Sequence, residues 1–468
     1  MNSVAIIGAG ITGLTAAFKL HQQGIPVTVY EAGDHAGGVI ASVRRHGYLA
    51  ESGPHTALET APEIPTLVRD LGLEGRRMYS SPRAEKRYLV RDRKLVPLPS
   101  SPLRFFGTRL FSAGAKLRLL REPFIAPALE SQEESLAEFV ERRLGQEFLD
   151  YAINPFVAGV YAGDPHHLSA KHAFPKLYNL ERRYGSLIKG QVFGARERKR
   201  RAEVSKQNAK KFSFDEGLQV LPQTIRDQLG RDVLFNSPVT GIQQNATGWV
   251  VATPDRTDHH SAVIYTGPAY RLPQIELRTE RYINCAPLSE VPYPPVATLV
   301  LGFRRENVRH PLDGFGLLVP ELEPFNILGV LFSSTMFPNR APEGHVLLTV
   351  YLGGTRAPHV ATSDFETQLN LALTDLRVLL GVTGQPTFLH HAVFRHAIPQ
   401  YDVGYGRFKT LMDEIETNAP GLFLAGNYRD GISLADSIVS GHKVAARMRQ
   451  FIDARASLAE AVETLVAV

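Results

Sequence analysis

Val4-Ala-Ile-Ile7 is an apolar run that meets glycines at once, the pattern of a short strand covered on both faces. Leu14 to Gln23 then spaces its apolar residues as a helix does and stops at Gly24, which suits a left-handed cap. Pro26 to Tyr30 is a second strand. A strand–helix–strand unit of about 30 residues predicts a parallel sheet with a right-handed crossover. Further along, the spacing predicts helices over Ser131–Gly145, Gly217–Leu229, Ser363–Gly381 and Ala435–Ile452. Ser131 with Glu134 and Ser363 with Glu366 are spaced as capping boxes. Phe148 to Tyr184 reads as helix broken by Pro155, Pro165 and Pro175. Strands are expected at Val233–Phe235, Trp249–Ala252, Ser261–Tyr265, Val296–Phe303, Phe315–Val319, Leu328–Phe332, Val346–Leu352 and Gly421–Gly426. The fold class is α/β, with a chain that leaves its first sheet and later returns to it.

Composition narrows this picture. The chain has 468 residues, 44% hydrophobic and 21% charged, which excludes a disordered chain or a collagen-like repeat. Cys285 is its one cysteine, so neither a disulfide scaffold nor a thiolate metal cluster is expected, and no metal is. The histidine pairs His166-His167, His259-His260 and His390-His391 lack a ligand context and are read as surface residues. No apolar run is long enough for a membrane-spanning helix, and the start does not read as a signal peptide. The net charge of +5 is uneven. Arg83 to Arg121 holds eleven basic and two acidic residues, and Arg196 to Lys211 holds eight and two. Two basic segments on a mildly acidic body point to an anionic partner, a membrane surface or a polycarboxylate rather than nucleic acid.

Gly8, Gly10 and Gly13 stand between strand and helix. In that place they make a tight turn, let a pyrophosphate approach the backbone, and let helix pack on strand. Glu31 ends the second strand eighteen residues after Gly13, where a carboxylate accepts from ribose hydroxyls. Gly37 and Gly38 can bring further N–H groups to the phosphates. The run from Glu31 and Ala32 to Gly37-Gly38 resembles the FAD-binding start of the amine oxidase and phytoene desaturase group. No second such fingerprint opens a helix, so a nicotinamide has no evident site and the acceptor is expected to be oxygen or a quinone.

Narrower blocks follow: Glu138–Glu147, Asn154–Asp164, Ala173–Leu177, Gly217–Pro222, Gly314–Pro320, Ile398–Tyr401 and Leu424–Ser433. They are similar to the protoporphyrinogen and coproporphyrinogen oxidases, over nearly the whole chain. The resemblance implies a Rossmann-type FAD-binding domain, an interleaved mixed-sheet substrate domain and a mostly helical domain. The expected divisions are 1–82, 212–285 and 394–468 for FAD, 83–211 for the helical, membrane-associating unit, and 286–393 for the substrate. It implies non-covalent FAD held by Gly8, Ala9, Gly10, Ile11, Thr12, Gly13, Glu31, Ala32, Gly37, Gly38 and Val39. The loop Gly53, Pro54, His55 and Thr56 belongs to the same set, with Val239, Gly426, Ile432, Ser433 and Leu434. It implies a substrate chamber at Phe315, Gly316, Leu318 and Tyr351, with Arg87 on a propionate. No side-chain acid or base is assigned, since the flavin accepts the hydride.

The implied reaction is the oxygen-dependent dehydrogenation of protoporphyrinogen IX in haem biosynthesis. The alternative is coproporphyrinogen III; more distant ones are an amine oxidase, a carotenoid desaturase or a non-catalytic flavin-binding protein. Two departures from the family leave residues without a role. Tyr405 stands where many members have histidine, and His55 where some have arginine. The basic, aromatic stretch Arg104–Arg121 fits a helix in a membrane interface. The expected partners are the porphyrinogen, oxygen, a weakly held membrane surface and a second copy of the chain as a homodimer. The expected location is cytoplasmic, peripheral on the inner face of the plasma membrane.

Overall fold

Val4–Ile7 is buried at every position, as a central parallel strand must be when helices cover both faces. The computed structural model describes residues 3–99, 101–129, 132–194 and 209–466, with the backbone alone at Pro102 and 458–466. Among these residues, a five-stranded parallel sheet runs Val233–Leu234, Val27–Tyr30, Val4–Ile7, Ala262–Tyr265, Leu422–Leu424. Its strands come from both ends and the middle of the chain, as the sequence predicts. The helix Ile11–Gln22 starts directly on the glycine turn, and Gly24 at φ +73° ends it. The helix Leu434–Val466 crosses it closely. A methyl at Gly441 would stand 2.6 Å from Thr12 O, so only glycine allows that crossing.

A second, seven-stranded sheet runs Phe388–Phe394, Val296–Arg304, His345–Gly353, Ile327–Leu331, Gly316–Leu318, Arg87–Arg91, Lys94–Pro97. All its pairings are antiparallel except that of Gly316–Leu318 with Arg87–Arg91. The hairpin Arg87–Pro97 therefore belongs to this sheet, although the segment 83–211 was expected to be mainly helical; Tyr88, Leu89 and Val90 are buried by the pairing. A three-stranded sheet, Ala57–Leu58, Lys211–Phe214, Arg77–Tyr79, stands where the chain re-enters the first domain.

Two helix starts differ from the spacing argument. The capping box is made by Ser135 and Glu138, not by Ser131 and Glu134, and Ser131 lies outside the described residues. Asp364, not Ser363, caps Phe365–Leu380 by accepting from Thr367 N, while Gly381 ends that helix as expected. In both regions several Ser, Asp and Glu residues compete for the cap, and tertiary packing chooses among them. The expected interfacial helix is two short helices, Pro102–Gly107 and Ala113–Arg121, with Leu110 and Phe111 buried between them. The basic segment from Arg196 lies outside the described residues as far as 208. No helix among the described residues is long and apolar enough to cross a membrane.

Candidate functional site

The glycine turn is built almost wholly from backbone. Gly8 takes φ +104°, and its N–H donates to Tyr30 O at 2.8 Å. A methyl at Gly13 would lie 2.1 Å from Gly8 O, and one at Gly10 would meet nothing within 4 Å. Gly13 thus closes the packing, while Gly10 leaves open space. Ile11, Thr12 and Gly13 form the first turn of a helix that has no side-chain cap and no acidic residue there, so its N–H groups and positive dipole end suit a phosphate. Gly37 N donates to Ala9 O at 2.8 Å, which draws Gly37 and Gly38 against the same turn. Glu31 Oε2 accepts from Ala9 N at 2.7 Å and Oε1 from Gly33 N at 2.8 Å. Each oxygen keeps a second acceptor direction, so the carboxylate is held in place for a diol.

The other predicted contacts gather around this turn. Asn236 N donates to Gly33 O and Ser237 N to Glu31 O, both at 2.8 Å, which brings the segment leading to Val239 beside Ala32. A methyl at Gly53 would lie 2.1 Å from Val39 O, so the Gly53–Thr56 loop lies directly against Val39. Gly426, at φ +133°, donates its N–H to Ser440 Oγ at 3.0 Å. Ser433 Oγ donates to Asp436 at 2.6 Å and accepts from Asp436 N at 3.1 Å, and so fixes Ile432 to Leu434 at the start of the last helix. The sequence reading missed Thr266. Its hydroxyl lies 2.9 Å from Ile7 O and 3.1 Å from Gly8 O and ties the strand Ala262–Tyr265 to the turn. The Thr266-Gly267-Pro268 turn after a buried strand was the available signal.

The chamber residues meet through register in the seven-stranded sheet. Arg87, Gly316, Leu331 and Thr349 lie in one row across four strands, and Leu89, Leu318, Gly329 and Tyr351 in the row two residues on. With a side-chain period of two, both rows face the same side. Arg87 lies 5.8 Å from the Phe315 ring centre, and Leu318 fills the space above Gly159, where a methyl would meet it at 2.3 Å. Tyr351 Oη is 3.1 Å from His55 Nδ1, so this face reaches the Gly53–Thr56 loop. His55 is buried, which lowers its imidazole to about 4 and keeps it neutral. Nδ1 lies 3.0 Å from Gly53 O, so it carries the proton; Nε2 then accepts from Thr349 Oγ1 at 2.9 Å. Tyr351 consequently accepts from His55 and keeps its own hydroxyl proton to donate. Burial raises that hydroxyl well above its ordinary pKa, so it stays protonated.

Arg87 differs from its neighbours. Lys86 pairs with Asp313, and Arg91 with Glu147 at 2.6 Å. Arg87 is half-buried and has no ion pair or side-chain hydrogen bond among the described residues; burial lowers its pKa. Tyr405 is buried, and its hydroxyl donates to Tyr428 O at 2.5 Å, a packing role. The surface reading of the histidine pairs holds for His166, His167 and His259 but not for the others. His260 is buried and bonds Tyr30 Oη at 2.8 Å, and His390 bonds Ser52 Oγ at 2.8 Å, because both stand on strands whose alternate residues face inward.

Residues 11–449 match the flavin containing amine oxidoreductase family. The chain belongs to that family. It is 36% identical to protoporphyrinogen oxidase 2, chloroplastic/mitochondrial, of Arabidopsis thaliana, over 96% of this chain and 94% of that protein. It is 29% identical to coproporphyrinogen III oxidase of Bacillus subtilis (strain 168), over 94% of this chain and 96% of that one. Its fold superposes with a TM-score of 0.81 on the crystal structure of a candidate protoporphyrinogen oxidase from Exiguobacterium sp. 255-15. That protein shares 22% identity, with 96% of this chain and 98% of the other covered. The glycine-floored turn, the uncapped helix start and the fixed Glu31 carboxylate fit the FAD of such flavoenzymes.

Proposed function

We propose that the chain is an FAD-dependent oxidase that converts protoporphyrinogen IX to protoporphyrin IX in haem biosynthesis. The observation that carries this reading is the single sheet face that presents an unpaired Arg87 at one end and Tyr351 against the flavin loop at the other. Its support is the likeness to protoporphyrinogen oxidases over nearly the whole chain. Coproporphyrinogen III is the second candidate, since the Bacillus subtilis relative bears that name.

When bound, the flavin supplies the acceptor for a hydride from a bridging carbon, with oxygen as the final oxidant. The chain supplies position and environment. Glu31 takes the ribose, the uncapped helix start takes the pyrophosphate, and Ile432 to Leu434 lie where the last helix begins. Arg87 holds a propionate with its planar fork, Tyr351 donates into the chamber, and Leu89 and Leu318 exclude water from that face. FAD is held without a covalent bond in this reading, and the one cysteine, Cys285, is ill suited to a thioether because it is buried and its thiol is pushed up to about 11. A face rich in exposed Leu103, Phe106, Leu117, Leu120 and Phe124, with basic residues between them, supports weak peripheral attachment to anionic membrane.

Anaerobic addition of protoporphyrinogen IX to the yellow protein should bleach the flavin, and air should restore the colour and release porphyrin without NAD(P). A flavin that stays oxidised with both porphyrinogens overturns the reading. Faster bleaching with coproporphyrinogen III transfers it to the second candidate.

A further inference from the structure

We propose that Lys211 is a second carboxylate-binding residue of this site, which takes the propionate neighbouring the one held by Arg87. The inference rests on the porphyrinogen reading and adds a specificity residue to it.

Lys211 opens the strand Lys211–Phe214 and lies opposite Leu58, two residues beyond Thr56 of the flavin loop. Its carbonyl accepts from Ser80 N at 2.9 Å, and Ser81 N donates to Met336 O at 2.9 Å. Ala84, Met336 and Phe337 form an apolar cluster against which Met78, Phe315 and Leu331 pack. That cluster joins the Lys211 strand to Phe315, the ring on which Arg87 lies. Two elements distant in sequence are thus tied to one apolar cluster, and the Arg87 guanidinium is the charge that acts on Lys211 from across it.

Their surroundings set them apart from other basic residues nearby. Arg77 pairs with Glu59 at 3.1 Å, Arg76 with Asp215 at 2.8 Å, and Lys86 with Asp313. Arg87 and Lys211 are half-buried, and neither side chain has a hydrogen bond or ion pair among the described residues. Burial lowers the ammonium's pKa, and the Arg87 guanidinium lowers it further; exposed Glu85 pulls the other way without pairing with it. Like charges kept together out of water are costly unless an anion joins them. A ligand with two adjacent carboxylates removes that cost, and two propionates on neighbouring pyrroles provide it. The guanidinium offers a planar fork to one, and the ammonium a movable point charge to the other.

The test titrates holoenzyme with protoporphyrin IX, its monomethyl ester and its dimethyl ester, following porphyrin fluorescence, with flavin absorbance measured in every variant. Lys211→Met should weaken diacid binding about tenfold and leave the dimethyl ester within about twofold, since one charge-assisted bond is lost. Lys211→Gln should lose as much, and Lys211→Arg should recover most of it. Arg87→Met with Lys211→Met should weaken the diacid about a hundredfold if each cation holds its own carboxylate. In turnover, KM should rise more than kcat falls. If Lys211→Met and Lys211→Gln bind the diacid as tightly as the parent while Arg87→Met does not, Lys211 is no clamp and the porphyrinogen reading stands. If the parent protein binds neither acid nor ester, that reading itself is overturned, and this inference with it.

Discussion

The nucleotide end and the substrate chamber are made in opposite ways. At the proposed nucleotide end, backbone from a short stretch of sequence presents most of the polar groups: Gly8 to Gly13, fixed by Glu31 and Gly37. In the chamber, side chains from strands far apart in sequence share one sheet face, from Arg87 through Leu318 to Tyr351. Backbone sites depend on the absence of side chains, so small additions ruin them. Side-chain sites depend on the charge and shape of what is present, so they fail by degrees and one function at a time.

The largest effect is expected where a side chain enters the backbone site. Gly13→Val places atoms within van der Waals range of Gly8 O, already 2.1 Å from a single added methyl. The protein should emerge colourless, with flavin absorbance lost after gel filtration. A yellow variant would show that this turn tolerates more than the geometry allows. Arg87→Ala should leave the colour intact and lower kcat/KM about ten- to a hundredfold, or about 1.5–3 kcal/mol. The loss should shrink with esterified propionates. Equal losses for acid and ester would move Arg87 away from the carboxylates and blur the contrast between the two ends.

A smaller effect sharpens the contrast through pH. Burial lowers His55 to about 4, and His260 and His442 likewise. The unfolded chain therefore takes up protons first as the pH falls. The stability these residues contribute is complete above about pH 6.5 and is lost progressively down to about pH 4. At pH 5 the fully buried, neutral His55 accounts for about 2 kcal/mol of that loss, and the partly solvated His260 and His442 for less, read by urea unfolding. His55→Gln should flatten the curve by about that amount, while also freeing Tyr351 from its partner. An unchanged pH profile would mean that His55 takes up its proton as readily in the folded protein as in the unfolded chain. The smallest effect concerns the membrane face. Leu103→Ser with Phe124→Ser should reduce flotation with anionic vesicles at low salt by a few-fold, leaving turnover in detergent unaltered. Each apolar side chain inserted contributes only about 1–3 kcal/mol.

This difference in construction also decides what the sequence discloses. Gly8, Gly10, Gly13 and Glu31 carry local rules, because tight turns and dipoles need particular residues at particular spacings. The parallel pairing of the first two strands follows from the same unit, while the places of the other three do not. The chamber discloses itself only through resemblance, which names Arg87 and Tyr351 but not the register that sets them in neighbouring rows. Lys211 closes a basic segment in the sequence, and nothing nearby in sequence says that its strand is tied through Met336 to the ring on which Arg87 lies. His260 was read as exposed, since the pairing of its strand with Trp249 is what turns it inward. The cap at Ser135 rather than Ser131 shows the same limit on a smaller scale: several residues meet the local rule, and the fold selects one.

The strand Leu422–Leu424 lies beside Ala262–Tyr265, and the helix from Leu434 rests on the helix from Ile11. A ribosome making this chain delivers Val4–Ile7 more than four hundred residues before the strand Leu422–Leu424 that closes its sheet. The glycine turn must therefore wait, exposed, until that edge strand and the covering helix after it have been made. Flavin insertion is accordingly a late event in the life of the polypeptide. Nascent chains halted before residue 420 should remain apo and be prime clients for chaperones.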